Sequence, residues 1–284
     1  MFDNGWIAAL SALFLWWFST GAILIAVRVA EKKERHTKMT LGLFPLLLIG
    51  FAGIAATTGE GRVTSSLFPL SDVFLSDTAA VYISFLSALA IWGWIELAFL
   101  TGLITGPNTN ICPKHIPEWE RFIRAWGTVA YHEMLLTAAL LAVAYLTFGA
   151  DNTVGFWTFA VLYFARISAK LNLFLGVREI NTEFLPRRLA HLPSHFRHGR
   201  INWLFPVSVT VLTFATACWL ERIYSSITGA EVAGFALLSA LTALALFEHW
   251  MMVLPLPDEK LWRWMLPEKT TIKTKRLNEE AHGL

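Results

Sequence analysis

Apolar residues along this chain come in long uninterrupted runs, separated by short stretches that hold charges, glycine, proline and asparagine. Seven runs reach the roughly 18 residues that a hydrocarbon core about 30 Å thick demands of a helix. They cover 6–27, 40–58, 78–102, 125–149, 154–177, 201–220 and 232–253. Inside lipid a backbone must satisfy its own polar groups, so each run predicts a transmembrane helix. The second run is the shortest and is interrupted by Pro45, Gly50 and Gly53. The pattern predicts an all-α, polytopic transmembrane helix bundle. Residues 1–267 form its single domain, followed by a polar, mobile tail at 268–284. No internal repeat is visible, and the gaps between runs are too short for a second domain.

Composition agrees with the pattern. Of the 284 residues 55% are hydrophobic and 15% charged, and the mean hydropathy is +0.52. Soluble domains carry roughly 25% charge, so water-soluble enzyme folds are excluded. A net charge of +2 leaves no electrostatic footprint for nucleic acid, and this hydrophobicity excludes disorder. Thirteen Trp and 21 Phe suit lipid headgroups and lipid-facing packing. Cys112 falls in a polar loop and Cys218 inside an apolar run, a poor placement for a disulfide. The first residues lack a basic segment and the first run is too long for a signal-peptide core, so it is expected to persist as a helix.

Orientation follows from the basic residues. The gaps at 28–39, 103–124 and 178–200 and the stretch after Val253 hold 5, 3, 5 and 6 lysines and arginines, whereas the opposite side holds only Arg62 and Arg222. The positive-inside rule places the N-terminus in the periplasm and the C-terminus in the cytoplasm. Two segments on the cytoplasmic side read as interfacial. From Glu118, the residues Trp119, Phe122, Ile123 and Trp126 share one helix face, with Glu120, Arg121 and Arg124 elsewhere, predicting a short surface helix ahead of the fourth span. The run 258–266 mixes Trp262, Trp264 and Met265 with Lys260 and Arg263.

Ionisable groups inside a span cost on the order of 2.5 to 3.5 kcal/mol each, which makes them the first place to look for function. Glu96, His132, Glu133, Lys170, Glu248 and His249 share a depth roughly 6 to 12 Å below the cytoplasmic interface. Arg166 lies one turn deeper than Lys170, on the same face. Three readings stand: a structural ion-pair layer, a site for a polar ligand or pigment with His132 or His249 as axial donor, and a metal centre. The metal reading is the weakest, because His132 and Glu133 are adjacent rather than three apart. Arg166 and Lys170 would also oppose a divalent ion.

Other patterns carry less. His191, His195 and His198 have the spacing of one helix face, but Pro193 interrupts them, and a loop touching lipid phosphates is the plainer reading. Gly102 and Gly106 form a GxxxG, and Ala233, Ala236, Ala240 and Ala243 form a small-residue stripe; both suit close helix packing. No nucleophile elbow, P-loop, dinucleotide fingerprint or CxxC pair is present, so no motif supports a catalytic assignment.

Several stretches resemble the PuhE family, photosynthetic complex assembly protein 2 of purple phototrophic bacteria. They are Asn4-Gly5-Trp6, Trp16-Trp17-Phe18-Ser19-Thr20-Gly21 and Tyr131-His132-Glu133, then Lys170-Leu171-Asn172-Leu173-Phe174-Leu175-Gly176-Val177-Arg178 with Asn181 and Glu183-Phe184-Leu185-Pro186. Glu248-His249-Trp250, Leu254-Pro255-Leu256-Pro257-Asp258 and Leu261-Trp262-Arg263-Trp264 complete the set. The resemblance runs to Pro267. It implies a multi-pass protein of the bacterial inner membrane, plasma or intracytoplasmic, tied to assembly of the reaction centre and core light-harvesting complex. Their subunits would be its partners. It also implies a part in bacteriochlorophyll supply, with that pigment or a precursor bound transiently. The alternative is a membrane enzyme or modulator of bacteriochlorophyll synthesis that uses the Glu and His layer. Glu96, His132, Glu133, Arg166, Lys170, Asn172, Glu248 and His249 are the candidate site residues. The resemblance supplies no catalytic mechanism, and no function is carried onto His195, His198 or the tail.

Overall fold

The computed structural model describes residues 2–58, 76–182 and 185–255. The stretch 59–75 with Arg62, the interfacial run at 258–266 and the tail at 268–284 lie outside the described residues. Within them the chain is all-helical: α1 (Gly5–Lys32), α2 (His36–Gly42), α3 (Phe44–Ala56), α4 (Asp77–Leu100), α5 (Glu118–Thr147), α6 (Val154–Leu175), α7 (Leu204–Ser225) and α8 (Gly229–Met251). With α2 and α3 taken as one span, seven helices are long and apolar enough to cross a membrane.

Short polar residues cap the starts of α1, α4 and α8. Asn4 accepts from the Trp6 amide and Ser76 from Ala79, each satisfying a first-turn N–H with no intrahelical partner. Thr228 and Glu231 form a reciprocal capping box at the start of α8. The weak second run is a broken helix. Leu43 interrupts it, and Pro45 enters the first turn of α3, where its missing N–H costs nothing. The break is pinned to α4: the Trp94 indole donates to the Thr40 carbonyl at 3.0 Å, and the Thr40 and Thr101 hydroxyls meet at 2.8 Å. Gly50 is a contact rather than an interruption, because a Cβ there would lie 2.6 Å from Ile91 and 2.8 Å from the Ser87 carbonyl.

Helix α4 is the axis of the bundle, with 61% of its span buried against 17% for α1 and α7. One core gathers Ile91 and Ile95 of α4 with Leu136 of α5 and Phe159 of α6. Another joins Ala8 and Ala12 of α1 to Phe85 of α4 and to Ala233 and Ala236 of α8. Ala240 packs against the same core, so the alanine stripe works over its first three members, while Ala243 is exposed.

Three local expectations are corrected. The surface helix at 118–126 is not separate but forms the first turns of the 30-residue α5, with Trp119, Phe122, Ile123 and Trp126 all exposed. Gly102 and Gly106 do not share a helix, since α4 stops at Leu100 and Gly102 has φ +72°. Gly106 instead lets a loop press on α5, where a Cβ would sit 2.1 Å from the Gly127 carbonyl. Next to it the Thr105 carbonyl accepts from the His132 amide at 3.0 Å, and Asn108 donates to the Arg124 carbonyl at 2.9 Å. The three histidines lie on no common helix face. Two short 3-10 turns, Arg187–Leu189 and Leu192–His195, carry this segment, and His198 pairs with Val177 in an isolated bridge.

Candidate functional site

Arg166 and Lys170 are four apart on α6, so they stack on one face and reach two different carboxylates. Arg166 Nη2 lies 2.9 Å from Glu96 Oε2 of α4. Lys170 pairs with Glu133 of α5 and lies 5.5 Å over the Phe99 ring. His132 precedes Glu133, so it turns about 100° away on the helix and enters the packing against α4. It is fully buried, with its ring centroid 4.4 Å from that of Phe99 and Nε2 3.7 Å from Glu96 Oε1. That separation is too long for a hydrogen bond. Both imidazole nitrogens, Glu96 Oε1 and Arg166 Nε have no partner among the described residues. Glu96 thus carries one strong ion pair and one loose contact.

The expected single layer resolves into two clusters. Asn172 and His249 face the other side of α6 and join residues that sequence reasoning missed. His249 Nδ1 lies 2.8 Å from the Ala245 carbonyl, and Nε2 lies 2.9 Å from Ser168 Oγ. Ser168 meets Ser208 of α7 at 2.9 Å. Asn172 is fully buried and donates to Ser208 Oγ at 3.0 Å, and Asn202 donates to Asn172 Oδ1 at 3.1 Å. Asn202 also caps α7, its Oδ1 accepting from the Leu204 amide at 2.8 Å. This network ties α6, α7 and α8 together, and its hydroxyl and amide members left only a weak signal in the sequence.

Between α1, α4, α5, α6 and α8 lies an open cleft of ≈ 1150 Å³ with largely apolar walls. Glu96, Glu133, Arg166 and Lys170 line it, together with Glu248. Glu248 is exposed there and accepts a hydrogen bond from the Trp16 side chain of α1. Adjacent residues again diverge, since Glu248 faces the cleft while His249 faces α6 and α7.

The segment after α6 closes one end of the cleft. His191 and His195 are buried and His198 is exposed, so the loop does not simply present imidazoles to lipid phosphates. Burial holds the pKa of His191 and of His195 below the ordinary imidazole value. Arg121 fastens this segment to two helices. Its Nη1 donates to the His195 carbonyl at 3.1 Å and its Nη2 to the Phe174 carbonyl at 2.5 Å, with the guanidinium 3.8 Å over the Phe174 ring. A cation at the last turn of α6 also meets the negative end of the helix dipole. Among the described residues no three His, Cys, Asp or Glu side chains come together in a way that could hold a metal ion.

A family described as a protein of unknown function, DUF3623, matches residues 2–273. The chain is 51% identical over 267 residues to a Rhodobacter capsulatus protein described as an uncharacterized 30.4 kDa protein in the puhA 5′ region, covering 93% of this chain and 92% of that one. No solved structure matches the chain.

Proposed function

The chain belongs to the DUF3623 family, and from its puhA-region relative, its resemblance to the PuhE family and the site geometry we propose that it is an integral membrane factor for assembly of the photosynthetic reaction centre and core light-harvesting complex. In this reading it handles bacteriochlorophyll or a precursor while those subunits are built. The cleft carries the reading. A space of ≈ 1150 Å³ is large for a small-molecule site. It combines apolar walls open to the bundle surface with a charged floor at Glu96, Arg166, Glu133 and Lys170. That suits a flat, hydrophobic molecule with polar substituents. The relative from the puhA 5′ region supports a photosynthetic setting, as does the resemblance to the PuhE family.

The polar groups have separate parts in this reading. The Glu96–Arg166 and Glu133–Lys170 pairs hold α4, α5 and α6 in register and present donors and acceptors to ring substituents. Glu248 of α8 faces the same space. The network around Asn172 and His249 fixes the far side of α6 so that its cleft face does not rotate.

A second reading, a step in bacteriochlorophyll synthesis, draws on the incompletely partnered Glu96 and His132. A deletion strain separates the two through the absorption spectrum of its membranes and the chromatographic profile of its pigments. Loss of assembled-complex bands with no single precursor accumulating is the expected result. Accumulation of one defined tetrapyrrole precursor would replace the assembly reading with the biosynthetic one.

A further inference from the structure

We propose that the cleft selects the esterified, uncharged form of the pigment over its free acid, and that Glu248 is the side chain that rejects the acid. This inference rests on the pigment reading above and names the chemical form that the site takes.

Among the described residues, the carboxylates of Glu96, Glu133, Glu179 and Glu248 line the cleft with the cations of Arg166 and Lys170. Both cations are committed. Arg166 lies 2.9 Å from Glu96, and Lys170 pairs with Glu133. Glu179 stands beyond the end of α6, 3.8 Å from Arg178. Glu248 meets no cation within ion-pair distance among the described residues, and the Trp16 side chain donates to it. The charged layer within the spans is therefore left with one negative charge in excess. Between apolar walls a further anion meets repulsion that water screens poorly. Repulsion of this kind lets a site tell apart two ligands that are otherwise alike. An ester removes the charge and keeps a carbonyl. That carbonyl can accept from the Arg166 guanidinium, whose side chain is 37% exposed.

The same lining supplies a place for the hydrocarbon chain of the ester. Leu89 is seven residues from Glu96 on α4, and Leu241 seven from Glu248 on α8. Leu141 is eight from Glu133 on α5, and Leu162 eight from Lys170 on α6. Because α5 crosses in the direction opposite to α4, α6 and α8, all four leucines fall on one side of the charged layer. At about 1.5 Å per residue they stand roughly 10 to 12 Å from it. Two turns further on the helices converge, since a Cβ on Gly234 of α8 would lie 2.9 Å from Val154 of α6. A polar junction at one level and hydrocarbon at the next is the form of a ring acid esterified with a long-chain alcohol. The reaction class that supplies this ligand is esterification of the ring carboxylate, and the protein acts after that step.

The test uses the full-length protein in lipid nanodiscs at about pH 8, above the ordinary carboxylate range. Three pigments are titrated: bacteriochlorophyll a, the chain-free methyl ester of its acid, and that free acid. Empty nanodiscs supply the blank for partition into lipid. The wild type should hold the methyl ester about tenfold more tightly than the acid. Glu248→Gln keeps an acceptor for Trp16 and should reduce that preference by strengthening binding of the acid alone. Leu141→Trp fills the leucine layer from an exposed position. It should weaken bacteriochlorophyll a by about threefold or more and leave the methyl ester unchanged. Equal wild-type affinities for methyl ester and acid, or an undiminished preference in Glu248→Gln, would overturn the selection and leave the pigment reading standing. An equal effect of Leu141→Trp on both esters would overturn the place of the chain. No binding of any of the three to the wild type would overturn both readings.

Discussion

Arg166 of α6 meets Glu96 of α4 at 2.9 Å, joining a peripheral helix to the most buried one. The Glu96 side chain is 9% exposed and that of Arg166 37%, so loss of the arginine strands the more costly partner. Removing one member of a buried pair costs about 3 to 5 kcal/mol, whereas replacing both with apolar residues is often close to neutral. Arg166→Leu should therefore lower the melting temperature in detergent more than the double replacement Glu96→Leu with Arg166→Leu. Simple additivity of the two single losses would show that the pair does not stabilise the bundle.

Asn172 is the centre of the second cluster, fully buried between Ser208 and Asn202. Asn172→Leu leaves their polar groups short of partners, at about 1 to 3 kcal/mol for each buried group so stranded. Ser208→Ala removes one hydroxyl with little change of volume and should cost about 1 kcal/mol. Thermal unfolding of the two variants should rank them in that order, and equal melting temperatures would argue against the network.

The buried imidazoles of the cytoplasmic-side loop make a pH prediction. Both His191 and His195 have pKa values below the ordinary 6.5. The unfolded chain therefore binds more protons than the folded one as pH falls through 6.5 and below. Stability from these groups is complete above that value and declines on acidification. The drop in melting temperature between about pH 7.5 and about pH 5.5 should be smaller in His195→Gln than in the wild type. An identical drop would mean that His195 is not held neutral in the fold.

The asymmetry of lysine and arginine predicts a cytoplasmic C-terminus. A fluorescent protein fused after Leu284 should be bright and an alkaline phosphatase at the same place inactive. The reverse pattern would invert the orientation.

Span number and depth were legible because lipid imposes a length on helices and a penalty on charge. Those constraints picked out Glu96, Glu133, Arg166, Lys170 and Glu248, all of which line the cleft. Rotation about each helix axis was not legible. His132 and Glu133 are neighbours in sequence, as are Glu248 and His249, yet the members of each pair face different surroundings. Ser168, Ser208 and Asn202 escaped notice because neutral polar groups in a span cost less than charges, so their presence is a weak signal. The GxxxG reading assumed that α4 continued through Gly102, whose positive φ ends it. His195 was set aside as a loop residue, since the contact that turns it inward comes from Arg121, 74 positions away.

That contact has a mechanical side. At about 1.5 Å per residue, 30-residue α5 is roughly 45 Å long, well beyond a hydrocarbon core of about 30 Å. Its excess length, armed with exposed Trp119, Ile123 and Trp126, must lie at headgroup depth. Arg121 sits in that overhang and bonds both the end of α6 and the His195 backbone. A tilt of α5 that follows bilayer thickness would thereby bear on the segment that closes one end of the cleft, through Arg121 and through the Glu118–Arg197 ion pair beside it, like a lever resting on the membrane surface.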